Sequence, residues 1–81
     1  APEVLNTLQL ELLFNCVLEL PEGCRAVFNM YVFDEFSHKE IALQLGIDEG
    51  TSRSLLNRAR KLLMEKINSM DHVLIKKYEA V

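Results

Sequence analysis

Residues 37–66 read Ser-His-Lys-Glu-Ile-Ala-Leu-Gln-Leu-Gly-Ile-Asp-Glu-Gly-Thr-Ser-Arg-Ser-Leu-Leu-Asn-Arg-Ala-Arg-Lys-Leu-Leu-Met-Glu-Lys, and this stretch decides the fold. Ser37 followed by Glu40 is a capping box, in which the two side chains satisfy each other's orphan backbone donors at a helix start. Ile41, Ala42 and Leu45 then share one helical face. Gly46 stops the helix because it takes positive φ at little cost. Ile47 plugs the turn, and Asp48 is a good N-cap for a second helix, with Glu49 near its positive end. Two capped helices around a Gly-centred turn form the helix-turn-helix pattern, whose second helix usually enters the DNA major groove.

The second helix divides cleanly at 100° spacing. Ser52, Leu56, Ala59, Leu63 and Ile67 make a narrow stripe of small and apolar groups suited to a core. Gly50, Ser54, Asn57, Arg58 and Lys61 lie on the far side, with Arg53 at one flank and Leu55 at the other. Arg and Asn pair bidentately with guanine and adenine edges, so this outer face is the candidate reading surface: Arg53, Ser54, Asn57, Arg58 and Lys61. The plainer alternative is a solvated helix face. The position of the turn and both caps, where a DNA reader needs them, favours the reading surface.

The working segment sits in a chain of 81 residues with formal net charge −3, whereas DNA-binding domains are commonly basic. The charge is unevenly distributed. Residues 1–36 carry six acidic side chains against Arg25 alone and stand at −5, residues 37–48 at −1, residues 49–66 at +3, and the remainder is neutral. Positive charge is therefore concentrated on the second helix, and the acidic half is expected to face away from phosphate.

The remaining sequence also reads as helix. Residues 3–19 place Leu5, Leu8, Leu12, Leu13, Cys16 and Val17 at helical spacing. Leu20-Pro21-Glu22 ends that helix and begins another, with Pro near the first turn and Glu at the positive end. Residues 22–33 form a dense apolar segment, expected to be the central, most buried helix; its Phe28 to Phe33 portion also suits a strand, but nothing nearby could pair with it. The expected fold is all-α: a small four-helix domain spanning residues 1–81, with helices near 3–19, 22–33, 38–45 and 49–66 and a C-terminal helix-turn-helix. Residues 67–81 either extend the last helix or fold back as a short one.

Several function classes drop out. No nucleophile–base pair, paired carboxylates or phosphate loop can be named, so the chain is not read as an enzyme. Cys16 and Cys24 form no Cys-x-x-Cys pair, and His38 and His72 complete no metal site, so no cofactor is expected. Both thiols fall on apolar helical patterns, which suits buried free cysteines in a reducing cytoplasm. No apolar run approaches a membrane span. His38 follows the cap residue, where an exposed surface or phosphate-facing role is open to it; as a free-standing site it means little.

Three motifs now combine: Leu20-Pro21-Glu22-Gly23-Cys24-Arg25-Ala26-Val27-Phe28, then Ser37-His38-Lys39-Glu40-Ile41-Ala42, then Gly50-Thr51-Ser52-Arg53-Ser54 with Asn57-Arg58-Ala59-Arg60-Lys61-Leu62-Leu63. Over residues 20–67 the chain resembles the C-terminal promoter-binding domain, the fourth conserved region, of bacterial sigma factors, and most of all the extracytoplasmic-function type. The resemblance implies binding to the −35 promoter element within RNA polymerase holoenzyme, with groove contacts falling on Arg53, Ser54, Asn57 and Arg58. It implies as partners the flap of the polymerase β subunit and, often, an anti-sigma factor that masks the DNA-binding face. It also implies that these residues are a fragment of a longer chain, in keeping with a start at Ala1-Pro2 without Met.

Two positions depart from the family pattern. Glu35 stands where Gly is common; if the backbone there is left-handed, Glu costs about 1 kcal/mol relative to Gly. Leu55 stands where Arg or Gln is common, and either meets a thymine methyl or packs under the turn, the second being preferred. Two rival readings remain. A response-regulator type helix-turn-helix would usually show Thr-Val-Lys-x-His after the turn, where this chain has Thr51-Ser52-Arg53-Ser54-Leu55. A protein-interaction module that has lost DNA binding is opposed by Arg53, Asn57 and Arg58.

Overall fold

The computed structural model describes the backbone of residues 2–79 and the side chains of Thr7 and of residues 9–69. Four helices follow one another: α1 (Pro2–Leu18), α2 (Glu22–Val32), α3 (His38–Leu45) and α4 (Glu49–Glu79). There is no strand among the described residues, so the Phe28–Phe33 segment is helical as far as Val32. The fold is all-α, with α4 packed against each of the other three helices and α2 against α3. Among the described residues no helix is long and apolar enough to cross a membrane.

Local chemistry sets the helix ends. Pro21 occupies the N-cap position of α2, with Glu22 in its first turn. At α3 the capping box is fully formed: the Glu40 amide donates to Ser37 Oγ at 3.1 Å, and the Ser37 amide donates to Glu40 Oε1 at 3.1 Å. The helix closes at Gly46, whose φ of 66° is left-handed, and the Ile47 amide returns to the Ala42 carbonyl at 3.0 Å. Helix α4 starts directly after Asp48, whose carbonyl accepts from the Ser52 amide at 3.0 Å.

The hydrogen bond from the Ser37 backbone, with a further one from its side chain, holds the Glu40 carboxyl below its ordinary value. A depressed carboxylate pKa contributes stability that is present above the unfolded value and lost as pH falls through the folded one. The melting temperature is therefore expected to fall as the cap is protonated. Glu40→Gln, whose amide oxygen still accepts from Ser37, should lose that part of the pH dependence and keep the helix. Melting temperature against pH for the two chains checks this.

The core is built from Cys16, Val17 and Leu20 after and within α1, Cys24, Val27 and Phe28 of α2, Ile41 of α3, and Leu56, Ala59 and Leu63 of α4. Cys16 and Cys24 are both buried in the core. The expected stripe of α4 is thus the buried one. Of the two courses open to the residues after 66, extension is the one taken: α4 runs on to Glu79, since residues 67–79 contain no Gly or Pro to stop it. One expectation needs correction. Helix α2 stops at Val32, and the end of its apolar segment is not buried: Val32 is 44% and Phe33 52% exposed. Phe33 instead stacks on exposed Phe14 of α1, ring centres 6.3 Å apart. Leu5, Leu8, Met70, His72, Val73, Leu74 and Ile75 lie outside the described side chains.

The turn leaving α2 places Glu35 at φ 58°, the one non-glycine residue with positive φ among those described, and the Phe36 amide donates to the Met30 carbonyl at 2.9 Å across it. The left-handed backbone anticipated at this position is present. Glu35→Gly should stabilise the domain by up to about 1 kcal/mol, relief of Cβ strain outweighing the added freedom of the unfolded chain. For a domain this small that is a rise in Tm of up to about 4–8 °C in a thermal melt.

Candidate nucleic-acid interface

Helices α3 and α4, joined by Gly46, Ile47 and Asp48, form the helix-turn-helix. With Ser52, Leu56, Ala59 and Leu63 turned into the core, the 100° rotation per residue leaves the opposite side of α4 in solvent. Arg53, Ser54, Asn57, Arg58 and Lys61 are all exposed there. Asp48, Gly50, Thr51, Ser54, Leu55 and Arg58 line an open depression of about 520 Å³ at the start of the helix. The five candidate residues therefore share one accessible helix surface, with Ser54 and Arg58 facing this depression.

The cations of α4 differ in how free they are. Arg53 forms an i,i+4 ion pair with Glu49 at 3.3 Å, both side chains about half exposed. Such a pair is worth only about 0.3–0.5 kcal/mol, so it is easily exchanged for a stronger anion. Lys66 Nζ lies 2.7 Å from Glu19 Oε2 on the turn after α1, which removes it from the reading face and neutralises one of the acidic residues of the N-terminal half. The Arg60 guanidinium lies 5.9 Å from the centre of the Tyr31 ring, within cation–π range. Among the described residues no ion pair engages Arg58 or Lys61. The positive charge free for phosphate or base edges is thus narrower than the residue count of the segment suggests.

Leu55 is half-buried. Its Cδ atoms lie 3.7 and 3.9 Å from where a Cβ on Gly23 would stand, so it packs over the first turn of α2 while one edge lines the depression. Packing is its main role here.

His38 is half-buried. Its Nδ1 lies 2.8 Å from Ser52 Oγ, and its ring stacks on Tyr31 with centres 4.7 Å apart and planes at 20°. The sequence pattern puts Ser52 on the core stripe, and that place carries a signal: a buried hydroxyl needs a partner. The helical pattern of α4 alone did not say which.

A family model described as sigma-70, region 4 matches residues 10–63, from the second half of α1 through the core-packed part of α4. Comparison with curated proteins finds no match. The match covers most of the chain and spans the capped helix, the glycine turn and the cationic helix that form the site. On that match, and on the helix-turn-helix it covers, the chain belongs to the sigma-70 region 4 family.

Proposed function

We propose that this chain reads the −35 promoter element as the C-terminal domain of an extracytoplasmic-function type sigma factor, directing transcription initiation in the bacterial cytoplasm. The observation that carries this reading is the exposed face of α4, where Arg53, Ser54, Asn57, Arg58 and Lys61 stand together on a helix whose other side is locked into the core. In this reading Asn57 and Arg58 contact base edges, and Arg53, Ser54 and Lys61 contact groove or phosphate. The domain is one part of a longer chain.

The partners follow the same reading. Phe14, Val17, Leu18, Asn29 and Phe33 line an apolar depression of about 380 Å³ on α1 and α2, which shares no residue with the DNA face. It is open to the polymerase core, through the β-subunit flap, while α4 holds DNA. An anti-sigma factor would act by covering α4.

The isolated domain is expected to bind weakly. Few free cations mean few phosphate contacts and a shallow counterion-release term. The acidic surface, within a Debye length of ~8–10 Å, adds repulsion. Tethering in the holoenzyme would supply an effective concentration near ~1 mM and turn weak contact into occupancy. Titration of this chain against −35 duplex at physiological salt should give a one-to-one complex with Kd of about 1 μM or weaker. Nanomolar binding by the chain alone, or a two-to-one complex on a palindrome, would refute the tethering and favour the response-regulator reading.

A further inference from the structure

Ser52 is the one fully buried polar side chain among the described residues, with 0% exposure. It lies in the first turns of α4, immediately before Arg53 and Ser54. Its hydroxyl is satisfied from outside its own helix by His38 Nδ1, at 2.8 Å and fourteen residues away in sequence. His38 in turn is held by its ring stack on Tyr31 of α2, and Tyr31 is capped by Arg60 of α4. The chain of contacts leaves α4 at Ser52, crosses α3 and α2, and returns to α4 two turns later. We propose that His38 is a positioning residue for DNA reading: by satisfying the buried Ser52 hydroxyl it keeps that hydroxyl from bending the first turns of α4, which present Arg53 and Ser54, without itself touching DNA. The inference rests on the DNA-reading function proposed above.

The physical reason is the alternative open to Ser52. A serine hydroxyl inside a helix that loses its outside partner turns to the carbonyl four residues back, which bends the helix. Here that carbonyl belongs to Asp48 and already accepts the Ser52 amide at 3.0 Å. The bend would fall between the Gly46–Asp48 turn and the residues that enter the groove. An orphaned buried hydroxyl is costly, whereas removing both partners together is nearly neutral. The two substitutions must therefore couple with a definite sign.

The test uses His38→Phe, which keeps a ring against Tyr31, Ser52→Ala, the double variant, and His38→Asn, whose amide reaches the place of Nδ1. Each is titrated at low salt with −35 duplex and with scrambled duplex, at a temperature where circular dichroism finds it fully folded. His38→Phe should weaken binding to the matched duplex about tenfold, and to the scrambled duplex less, with an unchanged salt slope. Ser52→Ala, the double variant and His38→Asn should all bind within about threefold of the native chain. A loss in His38→Phe that persists in the double variant, with a salt slope smaller by about one, would mean that His38 meets a phosphate directly and would overturn the proposal. Native affinity in folded His38→Phe would overturn it as well, leaving only a packing role. Should the native chain itself prefer neither duplex, the DNA-reading function fails before any substitution is made, and the positioning role falls with it.

Discussion

Leu56→Ala is expected to remove about 2–5 kcal/mol of stability, and Phe28→Ala a similar amount. Leu56 is 2% exposed and Phe28 9%; the first lies on the α4 stripe against the other helices, the second on α2 with its ring edge against Phe33 at 6.1 Å. Truncating either loses the transfer free energy of the buried carbons and leaves a cavity that a small, tightly connected domain cannot fully collapse. A domain of this size has a total stability of about 4–12 kcal/mol, so either change should unfold a measurable fraction of the population. Urea titration or thermal melting reads the loss directly. Leu43, 79% exposed on α3, is the matched control, and Leu43→Ala should stay within about 0.5 kcal/mol of the native chain. Melts unchanged by Leu56→Ala and Phe28→Ala would mean that the helix faces have been assigned the wrong way round.

Arg58→Ala and Asn57→Ala are each expected to weaken binding to the −35 element by about 1–3 kcal/mol and to relax the base preference at one position, as the loss of a base-edge contact does. Both side chains are exposed, and no ion pair among the described residues engages Arg58, so neither change should disturb the fold. Lys61→Ala should behave differently. A point charge facing the backbone carries no sequence information, so its loss should weaken matched and scrambled duplexes alike and lower the salt slope by about one unit. Competition binding with the two duplexes across a salt series separates the roles. Equal losses on both for all three variants would show that the division into base and phosphate contacts is mistaken.

The helix ends and helix faces were legible because they depend on neighbours within one turn. Ser37 and Glu40 recognise each other across three residues, Gly46 supplies the positive φ of 66°, and the spacing of Leu56, Ala59 and Leu63 requires a common face whatever that face meets. The left-handed turn at Glu35 was legible only through resemblance, from the glycine that usually stands there. What failed was of another kind. Val32 and Phe33 carry the composition of a core, yet they lie where α2 runs out, and Phe33 stacks there on the exposed Phe14 of α1. The extension of α4 to Glu79 was left open because residues 67–79 hold neither a stop signal nor a clear second start.

By itself, then, the sequence determined where helices α2, α3 and α4 begin, where α3 ends, which side of α4 is buried, and, through three motifs at family spacing, that this is a sigma region 4 helix-turn-helix. Each of those rests on interactions of three to four residues' reach, which the rise and twist of a helix set in advance. Only the tertiary structure decided that Lys66 answers to Glu19, forty-seven residues away, that Leu55 lies over Gly23, and that His38 joins Ser52 and Tyr31. Those contacts depend on the angles at which helices cross, and the crossing angles follow from how all the side chains at the contact fill space together.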